Sequence, residues 1–183
     1  MLLTLGTLAS DLLLCAIAPR IRYNELREIN TVLGMSPRYN PGMTKLIEYR
    51  TDPPDANAFF SLFETTGWNA KYAATPADLA RAVDASWSIL SAYADGSLVG
   101  FGRVVSDGTM HAVLFDVIVH PDYQRRGIGS EILTRLVRVC REAAIRDIQL
   151  FAAHGKGPFY ERHGFRVRPD GAPGMEYVGG DVM

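Results

Sequence analysis

His120-Pro121-Asp122-Tyr123-Gln124-Arg125-Arg126-Gly127-Ile128-Gly129-Ser130 is the stretch whose reading decides the fold. The apolar run Val113 to Val119 leads into it, and a helix-patterned run, Ile128 to Ala144, leads out. The order is therefore strand, turn, basic glycine loop, helix. Pro121 has no N–H to give a neighbouring strand and ends the first element. Gly127 and Gly129 remove side chains where the backbone turns sharply or meets another group closely. The first turn of the helix leaves N–H groups without partners and carries the positive end of the helix dipole. A phosphate placed there accepts several backbone hydrogen bonds at once, and the forks of Arg125 and Arg126 add matching charge. The spacing is neither the three-glycine dinucleotide fingerprint nor the phosphate loop with its Gly-Lys-Ser/Thr ending. On the glycines alone, an ordinary strand–helix turn with solvated arginines fits equally well.

Working outward, the long helix is expected from about Gly127 to Ala143. Ile128, Ile132, Leu136, Val139, Cys140 and Ala143 line its apolar face, while Glu131, Arg135, Arg138 and Arg141 make a solvated one. Asp147 to Ala152 reads as a strand. A short helix runs from Gly157 or Pro158 through Arg162 to a stop at Gly164, and Phe165 to Arg168 and Met175 to Val178 are expected to close the sheet. On the other side, Trp87 to Ala94, Leu98 to Val105 and Met110 to Val119 are three consecutive antiparallel strands, joined at Asp95-Gly96 and Asp107-Gly108. Gly100 and Gly102 inside the middle strand point to a bulge or a close contact. Leu46 to Arg50 is a first strand. Ala56 to Thr66 is a helix with Phe59, Phe60 and Phe63 on one stripe, followed by a loop carrying Trp68 and Tyr72. Thr75-Pro76-Ala77-Asp78 starts another helix, to about Ala85, with a capping threonine and a proline at its first position. The element order predicts a mixed α/β (α+β) domain with a central, mostly antiparallel sheet flanked by helices.

Hydrophobic residues make up 48% and charged residues 21% of the 183, as in a soluble globular chain of one domain. A net charge of −1 argues against a general nucleic-acid binder, so no nucleic-acid partner is expected. The two cysteines, Cys15 and Cys140, make neither a disulfide framework nor a metal-ligand spacing; no metal is expected. Cys140 reads as a buried free thiol, which suits a reducing compartment, and a cytoplasmic location is the expectation. Met1 to Pro19 is apolar but lacks a basic start and is split by Asp11. It is a poor signal peptide and too broken for a membrane span, so no membrane partner is expected. Met43 looks like a natural beginning. Residues 1–42 are read as an appended extension and residues 43–183 as the domain.

Gln124-Arg125-Arg126-Gly127-Ile128-Gly129, after Val117-Ile118-Val119-His120-Pro121, resembles the acyl-CoA motif of the GNAT acetyltransferase superfamily, Gln/Arg-x-x-Gly-x-Gly/Ala behind a strand ending in Val-x-Pro. Further on, Phe159-Tyr160-Glu161-Arg162-His163-Gly164-Phe165 resembles that family's second signature, Tyr-x-x-x-Gly-Phe. Two signatures in the right order are more specific than either alone, and the resemblance spans roughly Thr44 to Val178. It implies a GNAT-like sheet with a splayed strand pair and acetyl transfer from acetyl-CoA, as co-substrate, to a primary amine of a small molecule or a protein. Val117, Ile118 and Val119 would pair through their backbone with pantetheine, and Gln124, Arg125, Arg126, Gly127, Ile128, Gly129 and Ser130 would lie under the pyrophosphate. The amide of Val117 would face the thioester carbonyl, and Tyr160 would protonate the leaving thiolate. Packing under the last strand is the structural alternative for Tyr160. The family's glutamate on the strand after the long helix is missing from Ile148-Gln149-Leu150-Phe151, and its asparagine just beyond from Ala153-His154-Gly155-Lys156-Gly157. Lys156 or a backbone amide would replace the asparagine. Asp116, holding a water, is the candidate base, with a structural carboxylate as its alternative; His111 and His120 are weaker candidates. A CoA-binding sensor or partner subunit without turnover is the competing function, and a homodimer stays open.

Overall fold

A computed structural model describes residues 46–169 and 174–175; the extension expected over residues 1–42 lies outside them. The elements in chain order are β1 (Ile47–Arg50), α1 (Ala56–Glu64), α2 (Asn69–Tyr72), α3 (Pro76–Asp84), β2 (Ser88–Ala94), β3 (Ser97–Ser106), β4 (His111–Val119), a 3-10 turn (Pro121–Tyr123), α4 (Ile128–Glu142), β5 (Asp147–Leu150) and α5 (Gly157–Glu161). The strands form one sheet in sequence order, with β1 to β4 antiparallel and β5 parallel to β4. The expected architecture is present: a mostly antiparallel sheet between helical layers.

Local chemistry explains three of the boundaries. The Asp55 carboxylate accepts hydrogen bonds from the amides of Asn57 and Ala58 and starts α1. Thr75 and Asp78 form a reciprocal capping box at α3. Asp95 and Gly96 both take positive φ, 50° and 79°, as a two-residue hairpin turn of type I′ demands.

Two apolar layers cover the sheet. Ile128, Ile132, Leu133, Leu136 and Cys140 of α4 are buried against Leu90, Ala92, Val99, Val104, Ala112 and Leu114. Phe59, Leu62 and Phe63 of α1, with Leu79 and Val83 of α3, are buried with Ile89, Phe101 and Ile118; the rings of Phe59 and Phe101 lie 4.2 Å apart. Burial pushes the Cys140 thiol up to about 11, so it is an inert core group.

The structure departs from the sequence expectations in five places. Trp68 and Tyr72 flank and end a short helix, because the Asn69 side chain accepts from the amide of Ala74 at 2.7 Å and donates to its carbonyl at 3.2 Å, closing the turn. Pro121–Tyr123 winds into a 3-10 turn capped by the His120 ring. Leu133 joins the buried face of α4, whereas Val139 is half-buried and Ala143 exposed at the helix end; a helix lying on a sheet buries a wider stripe than one row. β5 stops at Leu150, where pairing to β4 ends. Phe165 to Arg168 forms no strand: Phe165 packs on the core, but Val167 is 78% exposed, so the period-2 pattern has no ladder to join among the described residues. Of Met175 to Val178, only Met175 is described.

Gly102 measures how tightly α4 sits on the sheet. A Cβ built there would lie 2.7 Å from Ile132 Cγ2 and 2.9 Å from Leu136 Cδ1, atoms of fully buried side chains. Gly102→Ala is expected to lower the unfolding free energy by about 1–3 kcal/mol, as overpacking outweighs the smaller gain from a stiffer unfolded chain. A lower urea midpoint at unchanged slope would register it.

Candidate functional site

The parallel register of β4 and β5 runs His111↔Asp147, Ala112↔Ile148, Val113↔Gln149 and Leu114↔Leu150, and then stops. β4 continues to Val119, still paired to β3 through Phe101↔Ile118 and Gly100↔Val119. The side of β4 that faced β5 therefore carries backbone groups with no strand partner, among the described residues, from Phe115 onward. An open cleft of about 1730 Å³ occupies this parting, with Phe115 to Val119 on one wall and Leu150 to Ala153 on the other.

The start of α4 lies along the same cleft. Gly127 is its N-cap at φ 81° and offers no side-chain cap, so the N–H groups of the first turn rely on something outside the helix. The first intrahelical bond is Glu131 N–H to the Gly127 carbonyl, at 3.0 Å. A Cβ at Gly127 would meet no atom within 4 Å, so the space over the helix end is open. Gly129 serves a different need: a Cβ there would lie 3.4 Å from Val119 Cγ2 and 3.7 Å from Phe159 Cζ, so its bareness lets strand, helix and α5 come together.

Of the residues singled out from the sequence, Asp116, Val117, Ile118 and Val119 line the cleft from β4. Gln124, Arg125, Gly127, Ile128, Gly129 and Ser130 line it from the loop and helix start, and Tyr160 lines it from α5. Arg126 does not. Its Nη2 donates to the Asp122 carbonyl at 2.8 Å and its guanidinium lies 5.0 Å from the Tyr123 ring centre, so its charge braces the turn. Arg125, at φ 60°, projects to the cleft in its place. Gln124 Nε2 donates to the Val119 carbonyl at 3.1 Å and ties the loop to the strand end. His120 accepts from the amide of Asp122, and His111 sits 3.4 Å from the Asp147 carboxylate; neither lines the cleft. Lys156 does line it, where the sequence offered it in place of the missing asparagine.

Tyr160 is held by α5, between the rings of Phe159 at 5.1 Å and Phe165 at 6.2 Å. Burial raises its phenol pKa above the ordinary tyrosine value, so the group stays protonated through neutral pH. Asp116 adopts φ 52° and its Oδ2 accepts from Arg103 Nε at 2.5 Å. Arg103 was not singled out from the sequence; the available signal was an arginine inside an otherwise apolar strand, near an aspartate on the next one. Phe63, Trp68 and Tyr72 form one aromatic flank of the cleft and Phe115 and Phe151 another. Among the described residues, no group of three or more His, Cys, Asp or Glu could hold a metal ion, and no helix is long and apolar enough to cross a membrane.

Comparison with known proteins agrees with this geometry. Residues 85–167 match the family described as "Acetyltransferase (GNAT) domain". The chain is 42% identical over 82 residues, 45% of its length, to the "Uncharacterized N-acetyltransferase ycf52" of Pyropia yezoensis, and it spans 47% of that relative. A GNAT-family acetyltransferase structure from Streptococcus pneumoniae superposes at a TM-score of 0.63 with 26% identity, over 73% of this chain and 98% of the other. The PaiA N-acetyltransferase of Thermoplasma acidophilum, solved in complex with coenzyme A, shares the fold at a TM-score of 0.55 and 21% identity, over 69% of this chain and 94% of the other. The glycine loop and the parted strands fall inside the matched segment, so residues 85–167 of this chain carry a GNAT acetyltransferase domain.

Proposed function

We propose that the protein is an acetyl-CoA-dependent N-acetyltransferase that acts on a primary amine of a small molecule or a protein. The observation that carries this reading is the parting of β4 from β5 beside the start of α4, which sets strand backbone without a strand partner among the described residues, and helix amides without a side-chain cap, along one cleft. Those two features suit the two halves of one ligand. Strand backbone pairs with an extended amide-bearing chain such as pantetheine, and helix amides pair with a diphosphate.

Bound acetyl-CoA supplies a thioester, an acyl carbon open to attack by an amine. The amides of Gly127, Ile128, Gly129 and Ser130 would hold the diphosphate, with Arg125 adding charge from the side and Gln124 and Arg126 bracing the loop. The backbone of Val117, Ile118 and Val119 would align the pantetheine arm as an added strand. The Val117 N–H would face the acyl oxygen as charge gathers on it, a contribution of about 3 kcal/mol to the barrier for one such donor. As the amine nitrogen bonds to the acyl carbon and the carbon–sulfur bond breaks, Tyr160 would give its phenolic proton to the sulfur and regain one from solvent. The proton shed by the amine goes to solvent. Much of the acceleration then comes from positioning, which suits a site with few ionisable groups. Nothing in this sequence of steps calls for a metal. The reaction suits an aqueous reducing compartment such as the cytoplasm, in which Cys140 stays a free thiol.

Coenzyme A at a hundred times its Kd should stabilise the protein by about 2.7 kcal/mol, seen as a rise in Tm. Gly127→Glu, which sets a carboxylate over the helix start, should abolish that rise while the circular dichroism spectrum stays unchanged; an undiminished rise refutes the cradle. Incubation with acetyl-CoA and a panel of amines should release free thiol and yield acetylated product by mass. Binding without thiol release across the panel would favour a CoA sensor. Tyr160→Phe should lower kcat by about 10²-fold with Kd for coenzyme A unchanged. Because burial raises the phenol pKa, the acid form should persist above pH ~10, so an alkaline fall in wild-type kcat belongs above that pH and should vanish in Tyr160→Phe.

A further inference from the structure

Between the pairs Phe101↔Ile118 and Arg103↔Phe115, the single residue Gly102 on β3 stands opposite two residues on β4, Asp116 and Val117. This is a β-bulge, and Asp116 occupies its left-handed position at φ 52°, a conformation that aspartate tolerates better than most side chains. The bulge begins two residues beyond Leu114, where β4 stops pairing with β5, and Val117 is its second residue. Arg103 grips this point from β3. Its Nε donates to Asp116 Oδ2 at 2.5 Å, and its guanidinium lies 5.3 Å from the ring centre of Phe115. The two charged side chains are only 17% and 16% exposed, so each needs the other as a partner.

We infer that Arg103 and Asp116 form a pin that fixes the bulge, and so aims the Val117 amide into the cleft. Both are positioning residues, and Asp116 acts through Arg103 rather than by accepting the amine proton. Three features of the geometry support the pin. The carboxylate oxygen is already engaged by a guanidinium. The residue carrying it holds the unusual backbone angle itself. The guanidinium also covers Phe115, the last residue before the bulge, so its removal would free both sides of the distortion. The inference rests on the acetyltransferase reading above.

The experiment begins with the wild-type chain, whose thiol release and coenzyme A binding establish the reading independently; if both are absent, that reading fails, whatever the variants do. With wild-type turnover in hand, Arg103→Met and Asp116→Asn should each lower kcat about tenfold or more with much smaller changes in KM, since a misaimed group costs most in the transition state. The double variant should be little worse than either single one, because both break the same unit. Asp116→Gly, which adopts the left-handed angle freely, should retain several-fold more kcat than Asp116→Ala, which does not. The acidic limb of the kcat/KM profile should survive in Asp116→Asn. Two results overturn the pin: a wild-type kcat in Arg103→Met, or equal loss in Asp116→Gly and Asp116→Ala together with disappearance of the acidic limb, which would make Asp116 the base. If Arg103→Met does not fold, Arg103→Lys keeps the charge and loses the fork; a several-fold fall in kcat is expected, and a wild-type kcat again overturns the inference.

Discussion

The hydrogen-bond ladder between β4 and β5 ends at Leu114, and the rest of the site depends on that ending. A strand inside a sheet normally satisfies its backbone on both sides. Here one side of Phe115 to Val119 is released from its neighbour while the other stays bonded to β3. β3 and the buried Ile118 hold this stretch in place, and it lines the cleft rather than the core, with the Val119 carbonyl tied to Gln124 Nε2. A site built this way needs few special side chains, since its recognition groups are peptide units that any sequence carries.

The packing around the parting keeps it from collapsing. α4 lies directly over β3 at Gly100 and Gly102, where its isoleucine and leucine side chains occupy the volume a Cβ would need. That close seat brings the N-terminus of α4 against Val119 at Gly129, so the helix amides and the free strand edge share one cleft. On the opposite layer, the tilted ring pair of Phe59 and Phe101 backs the same stretch of β3. The distortion at Asp116 is therefore supported from both faces of the sheet and from the neighbouring strand. Such a non-glycine left-handed residue persists when its surroundings over-determine it.

Charge is used sparingly and locally. Arg126 was a candidate phosphate ligand by position, yet its guanidinium turns onto the Asp122 carbonyl and the Tyr123 ring, leaving Arg125 to face the cleft. Adjacent residues in a loop have unrelated directions once one of them takes positive φ, as Arg125 does. The same lesson applies to Asp116: as a residue in a run it looked like a base within reach of water, and in the fold it is half of an ion pair.

Local chemistry written in the chain was enough for the strands, the capped helices, the Asp95-Gly96 hairpin, the glycine loop and the two signatures that point to one superfamily. Those features depend on residues close in sequence: a cap and its amide, a turn and its glycine, a period of two or of 3.6. Four things were decided only in three dimensions. These are the point where β4 leaves β5, which residues of β4 bulge opposite Gly102, the capture of Asp116 by Arg103, and the failure of Phe165 to Arg168 to pair as a strand. Each turns on which backbone or side chain stands across from which, and that register is set by the packing of α4 and α1 on the sheet rather than by any residue's own preference.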